Sequence, residues 1–274
     1  MIPAILSRPF SEKTGLIPGT KKGADMEILV LVKHVPASDA AIKVAGDGRT
    51  IETAGLSFVL NPYDEYAVEE ALKTKEAKGG SVTVLTVGGP ETVKTLRHCL
   101  ALGADKAIRI GVEGGELDGL ATSNILADKI KELNPELVFC GKQAIDNDDS
   151  QIGPRIAARL GWACLSDAST FVLGDAAWSG ERDIEGGKES VEGSLPAVIT
   201  CDKGLNEPRY ANMKGIMMAK KKPLEEVEAS PMASKVEMVK LAPPPPRPEP
   251  TILGEGPDAI PALIEKLKNE VKVL

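Results

Sequence analysis

The sequence predicts an α/β fold: a doubly wound, mostly parallel sheet with a small antiparallel addition and an extended C-terminal arm. Three observations carry this. Short apolar runs, Glu27 to Val32, Ser81 to Val87 and Leu137 to Cys140, alternate with longer segments whose apolar residues recur at helical spacing. The connections are short, as strand–helix–strand repeats require. After Leu160-Gly161 the texture changes to short strands punctuated by glycine, and residues 223 to 250 contain the proline run Pro243 to Pro246.

Taken in order, residues 1–25 lack apolar periodicity and read as a flexible extension ahead of a fold that starts at Met26. Glu27 to Val32 is a buried strand, ended by the Lys33-His34-Val35-Pro36 loop. Residues 39 to 60 form a small excursion with a turn at Ala45 to Arg49. Asn61-Pro62-Tyr63-Asp64-Glu65 opens a helix, with its acids in the first turn where they complement the helix dipole, and Ala67, Val68, Ala71 and Leu72 make its inner face. Gly79-Gly80 stops it. Ser81 to Val87 is the next strand; Gly88-Gly89-Pro90 turns it into a helix with Val93, Leu96 and Leu100 inward and Gly103 just past its end. Lys106 to Ile110 is a short strand, and Asp118 to Leu133 a helix with Leu120, Ile125, Leu126, Ile130 and Leu133 at helical spacing. Beyond Leu160, short strands at Ser169 to Leu173, Ala176 to Asp183 and Lys188 to Glu192 form the antiparallel addition, and Leu195 to Cys201 returns to the core, which ends at Asp202. The expected organisation is the extension 1–25, an α/β domain over 26–222, and an arm over 223–274. The arm closes on an amphipathic helix, Asp258 to Leu274, with Ile260, Leu263, Ile264, Leu267 and Val271 on one face, suited to a second subunit or to its own domain.

Composition narrows the function. A net charge of −7 argues against nucleic acid or anionic membrane as the main partner, and 3% aromatic residues leaves little for base stacking. No apolar run approaches a membrane span. Two histidines, His34 and His98, and four cysteines without a C-x-x-C pair exclude a His-rich metal centre and favour reduced thiols in a cytoplasmic setting.

The chemistry concentrates between Leu137 and Leu160. A strand ends at Gly141, a polar loop follows, and a helix begins near Ile152. In open α/β sheets ligands sit beyond the carboxyl ends of strands, where helix N-termini present unpaired N–H groups. Gly141 permits close backbone approach, Lys142 brings a charge, Asp146, Asn147, Asp149 and Ser150 form caps and turns, and Gln151 and Gly153 open the helix. The loop suits a phosphate or nucleotide; an ordinary strand-to-helix connection with acidic caps fits the spacing equally.

Five motifs in series add a resemblance: Val30-Leu31-Val32-Lys33; Asn61 to Glu65 with Ala67 to Ala71; Leu102-Gly103-Ala104-Asp105; Gly141-Lys142-Gln143-Ala144-Ile145-Asp146; and Leu205-Asn206-Glu207-Pro208-Arg209-Tyr210 followed by Lys220 to Lys222. From Met26 onward the chain resembles the beta subunit of electron-transfer flavoproteins. The resemblance implies an adenine nucleotide hydrolase-like, Rossmann-like sheet and a non-catalytic electron carrier, heterodimeric with an alpha subunit that holds most of the FAD. It implies AMP in a structural role at Leu31, Asn61, Gly141, Lys142, Gln143, Ala144, Asp146, Asp149, Ser150, Gln151 and Ile152, with the Leu31 to Val35 region closing the pocket. Electron-bifurcating members hold a second FAD there instead, with NADH as donor. Tyr63 is the position that approaches the alpha-subunit flavin. Leu205, Asn206, Glu207, Pro208, Arg209 and Tyr210 would dock flavin dehydrogenases such as acyl-CoA dehydrogenases, with Leu205 as apolar anchor or as a core residue, and electrons would leave to a membrane quinone oxidoreductase. Lys220 to Lys222 would steer acidic partners or form a solvated turn. Of the rivals, an ATP-splitting enzyme needs a Ser-Gly-Gly loop where Lys33-His34-Val35-Pro36 stands, and a nucleotide-sensing module leaves the Leu205 loop and the arm unexplained.

Overall fold

The computed structural model describes residues 26–112, 117–175, 177–247 and 249–274. The expected extension over 1–25 lies outside the described residues, as does Ala176, the first residue of one expected strand. Two compact units are present: residues 26–41 with Thr53–Glu237, and Ile42–Glu52 with Met238–Leu274.

The larger unit is built on a nine-stranded sheet. Its strands are β1 (Glu27–Leu31), β4 (Ser81–Val87), β5 (Lys106–Gly111), β6 (Leu137–Gly141), β7 (Ala163–Leu173), β8 (Trp178–Ile184), β9 (Gly187–Gly193), β10 (Ala197–Cys201) and β11 (Leu224–Glu228). Their order is β11-β5-β4-β1-β6-β10-β7-β8-β9. A two-stranded antiparallel ribbon, β2 (His34–Pro36) with β3 (Phe58–Leu60), stands apart. The helices are α1 (Pro62–Lys78), α2 (Val93–Leu102), α3 (Gly119–Leu133), α4 (Ile152–Leu160) and α5 (Met213–Ala219).

Alternation along each buried strand sends successive side chains to opposite faces, and each face has its own helices. Ile28, Val30, Val84 and Phe139 pack with Val68 and Leu72 of α1 and Leu96 and Leu100 of α2. Leu29, Leu31, Leu85, Val138 and Cys140 pack with Ile125, Leu126 and Ile130 of α3 and Ile156 and Ala157 of α4. The chain thus winds outward from β1 through β4 and β5 over α1 and α2, then returns beneath α3 to β6 on the other side of β1. β1 pairs in parallel with both β4 and β6, which makes its carboxyl end the topological switch point.

Three expectations are corrected. The core does not end at Asp202: β11 pairs in parallel with β5, so the sheet runs on to Glu228 and the larger unit to Glu237. An edge strand is covered on few sides, so Leu224–Glu228 (LEEVE) shows charge where a central strand would be apolar. The strand expected from Ser169 starts at Ala163. β7 runs parallel to β10 at Ala163 to Leu165 and antiparallel to β8 beyond Ala168, with one extra residue between Leu165 and Ala168 and Asp167 at φ 55°. Lastly, Lys222 is not a free steering charge. Its Nζ donates to the carbonyls of Leu100 and Ala104 at 3.0 and 2.6 Å, closing the C-terminus of α2.

In the smaller unit, Leu241 N–H donates to the Gly48 carbonyl at 2.8 Å. The expected tail helix appears as a single-turn 3₁₀ segment Pro257–Ala259, helix α6 (Ile260–Lys266) and a wider turn over Leu267–Val271. Ile260, Leu263, Ile264 and Val271 are all exposed.

Candidate functional site

A cavity of about 490 Å³ opens at the switch point. Its walls come from the ends of β1 (Leu31, Val32, Lys33), β4 (Leu85 to Gly89, with Glu91) and β6 (Cys140, Lys142 to Ala144), and from the starts of α3 (Gly119, Thr122) and α4 (Gln151, Ile152). The volume is that of a small-molecule site. One part is apolar, through Leu31, Leu85, Val87, Val112, Leu117 and Leu126; the other carries Lys33, Asn61, Lys142, Gln143, Asn147 and Asp149.

Asp64 fixes the floor. It sits on the first turn of α1, is 5% exposed, and accepts from Lys33 N–H at 2.7 Å and Gly141 N–H at 2.9 Å. One carboxylate thereby ties the ends of β1 and β6 together across the switch point. Burial pushes its carboxyl up to about 7, against the two amide bonds and Lys33, which pull it down. Gly141 must be glycine: a Cβ there would lie 2.5 Å from Asp64 Oδ1 and 2.8 Å from the Tyr63 carbonyl carbon.

Asn61, 1% exposed, holds the loop after β6. Its Nδ2 donates to the Gln143 carbonyl at 2.9 Å and its Oδ1 accepts from Ile145 N–H at 3.2 Å. Around this clasp the loop is cross-tied. Lys33 Nζ pairs with Asp146 at 2.6 Å, Gln143 Nε2 donates to Asp148 at 2.7 Å, and Ser150 Oγ donates to Gln143 Oε1 at 3.0 Å. Asp148 and Ser150 both take the left-handed conformation, at φ 49° and 52°.

The helix starts differ in how they are capped. Asp118 caps α3, accepting from Ala121 N–H at 2.7 Å, and also accepts from the backbone of Lys235 and Val236. No side chain caps α4. Asp149 lies between the two: its Oδ1 accepts weakly from Gln151 N–H at 3.4 Å, and a Cβ on Gly119 would lie 2.9 Å from its Oδ2. Lys142 Nζ is paired with Asp202 at 2.9 Å and stands 5.2 Å above the Tyr63 ring.

Of the residues expected from the sequence, Leu31, Asn61, Lys142, Gln143, Ala144, Asp149, Gln151 and Ile152 line this cavity, whereas Gly141, Asp146 and Ser150 brace it from behind. Val35 is buried outside the lining. Sequence reasoning missed Asp64 as the floor, and the contributions of Leu85 to Gly89 and of Val112, Leu117, Gly119, Thr122 and Leu126. Gly88-Gly89 after an apolar strand was the one legible sign among these.

The loop after β10 turns much of itself inward. Arg209 makes paired contacts with Glu69 and Glu76 of α1, at 2.8 and 2.6 Å for the closest pairs, and holds the nearly buried Glu69 carboxylate. Asn206 Nδ2 donates to the Tyr66 carbonyl and to Glu70 at 3.0 and 2.9 Å. Leu205 and Ala211 are partly buried against the core. What faces outward is Glu207, Tyr210 at 96% exposure, and Met213, Ile216 and Met217 on α5.

Comparison with known proteins places the chain in a family. The family model described as electron transfer flavoprotein domain matches residues 49–232. The electron transfer flavoprotein subunit beta of Bacillus subtilis is 36% identical over 261 residues, covering 91% of this chain and 100% of the relative. That of Bradyrhizobium diazoefficiens is 38% identical over 254 residues, with the same coverage. The mitochondrial subunit beta of Oryza sativa subsp. indica is 39% identical over 257 residues, again covering 91% and 100%. The chain belongs to the electron transfer flavoprotein family, among its beta subunits.

Proposed function

We propose that this chain pairs with an alpha subunit, binds AMP as a structural ligand in the switch-point cavity, and serves as the non-catalytic half of a cytoplasmic carrier. Electrons would enter from flavin dehydrogenases such as acyl-CoA dehydrogenases and leave to a membrane quinone oxidoreductase. The observation that carries the nucleotide reading is the cavity at the ends of β1, β4 and β6, with an uncapped helix start on one side and an apolar wall on the other. An anionic group suits the first amides of α4. A flat apolar ring suits the wall of Leu31, Leu85, Val87, Val112, Leu117 and Leu126.

The FAD shared with the alpha subunit supplies the electron-accepting chemistry. The chain's own residues position and exclude. Asp64 and Asn61 fix the loop so that little ordering remains to be done on binding. A ligand held only by the folded chain stabilises it, which is what a structural AMP would do. Tyr63, on the first turn of α1 beneath Lys142, is the residue we assign to the flavin side. Tyr210 and the exposed face of α5 present the dehydrogenase side, with Arg209 and Asn206 bracing the loop from within.

Co-expression with the alpha subunit tests this reading. A stable heterodimer with a flavin spectrum, reduced rapidly by an acyl-CoA dehydrogenase and its substrate, is expected. A chain that forms no flavin-bearing heterodimer contradicts it and favours a nucleotide-sensing module.

A further inference from the structure

Residues 224–236 contribute nothing to the described lining of the cavity, yet they hold two of its walls from outside. The first grip is on the turn after β4. Arg109 of β5, itself buried, donates from Nη1 to the Gly88 carbonyl at 3.0 Å. Its guanidinium is held in turn by β11, through Glu226 at 2.7 Å and Glu228 at 3.6 Å. The second grip is on the start of α3. Asp118 N–H donates to Ser234 Oγ at 3.0 Å, and Asp118 Oδ2 accepts from the backbone N–H of Lys235 and, at 3.0 Å, of Val236. Asp118 Oδ1 meanwhile caps the helix at Ala121 N–H. Between the grips the chain is pinned: Ala229 N–H donates to the Gly111 carbonyl at 2.9 Å, and Met232 packs on the core beside Asn124 of α3. Gly88, Gly89 and Gly119 all line the cavity. Asp149 Oδ2 lies against Gly119, so the start of α3 also abuts the loop that opens α4.

We propose that residues 224–236 act as a strap, and that Arg109 and Asp118 are the positioning residues through which it sets how fast the cavity exchanges its ligand. A ligand lodged among these walls leaves when they part, and parting them from the strap breaks charge-assisted hydrogen bonds, which are the strong ones. The strap lies outside the described lining, so loosening it raises the open fraction of loaded and empty protein by the same factor. Entry and release both quicken, and affinity stays. This rests on the nucleotide reading proposed above.

The test uses the heterodimer purified with its alpha subunit. It is equilibrated with radiolabelled AMP, chased with excess unlabelled AMP, and read for retained label by gel filtration at intervals. Arg109→Met and Asp118→Asn should each speed release by roughly tenfold, the size expected for one charge-assisted bond lost. Asparagine keeps an oxygen for the α3 cap but cannot also accept from the strap on both sides. Ser234→Ala, a milder change that leaves the cap untouched, should speed release by roughly threefold, as a neutral bond would. Lys75→Met, which breaks the pair with Asp105 at the amino end of β5, controls for a general loss of stability and should leave release unchanged. Affinity is read separately, by letting unaltered and variant complexes with different tags compete for limiting labelled AMP; an even partition is expected. Unchanged release in the folded variants, or a partition uneven enough to account for the faster release, overturns the inference while sparing the nucleotide reading. An unaltered complex that takes up no AMP overturns both.

Discussion

At the scale of single residues, buried charge organises the larger unit. Asp64 is the clearest case, because its carboxylate sits in a nearly dry place and is held there by two backbone amides. Its carboxyl is raised from an ordinary 3.8 to about 7 in the folded chain. The folded state thus binds a proton between those values that the unfolded state has released. Stability from this group is complete below the ordinary carboxylate range and is lost as pH rises toward 7. Urea unfolding across pH 5 to 8 should show a falling contribution, at most about 1.4 kcal/mol per pH unit. Asp64→Asn should remove that slope, so the stability gap between the two proteins narrows as pH rises; parallel pH profiles would contradict the assignment. Arg209 is the complementary case. Truncating it to alanine leaves the Glu69 carboxylate nearly buried without its partner. A loss of about 1–3 kcal/mol is expected by the same unfolding measurement, with earlier proteolysis in the Leu205 to Tyr210 loop.

At the scale of elements, the packing of α4 against the sheet is set by one missing side chain. A Cβ on Gly153 would come 2.3 Å from Thr200 Cγ2 and 3.1 Å from Cys140 Sγ. Gly153→Ala should therefore lift the start of α4, costing about 1–3 kcal/mol in unfolding and lowering AMP retention together. A variant as stable and as well loaded as the unaltered chain would show that this contact yields. The central elements were legible because a strand buried on both faces and a helix with one apolar stripe write themselves locally, as Ser81 to Val87 and Asp118 to Leu133 do. Elements whose partners come from far along the chain were not. β11 is an edge strand with three glutamates, justified by Arg109, which reaches Glu226 at 2.7 Å across to β5. The burial of Glu69 and Glu70 on the far side of α1 depends on Arg209 and Asn206, more than a hundred residues later.

At the scale of the whole molecule, the loop Lys142 to Ile152 could be read from its turn formers and the helix that follows, but the cavity could not. Its lining is gathered from β1, β4, β6 and the starts of α3 and α4, and only the winding order brings those ends together. The C-terminal segment poses the opposite case: its amphipathic pattern was plain, and its apolar face is exposed at Ile260, Leu263 and Ile264. Removing Met238–Leu274 should leave the circular dichroism of the larger unit unchanged and abolish stable association with the alpha subunit, read by gel filtration; a truncated chain that still forms the heterodimer would exclude the arm as the docking element. The central claim, a single-flavin carrier with a structural monophosphate at the switch point, is tested most directly by denaturing the purified heterodimer and quantifying the released nucleotides. The account predicts one FAD and one AMP per heterodimer; two FAD and no AMP would contradict it and make the complex an electron-bifurcating one.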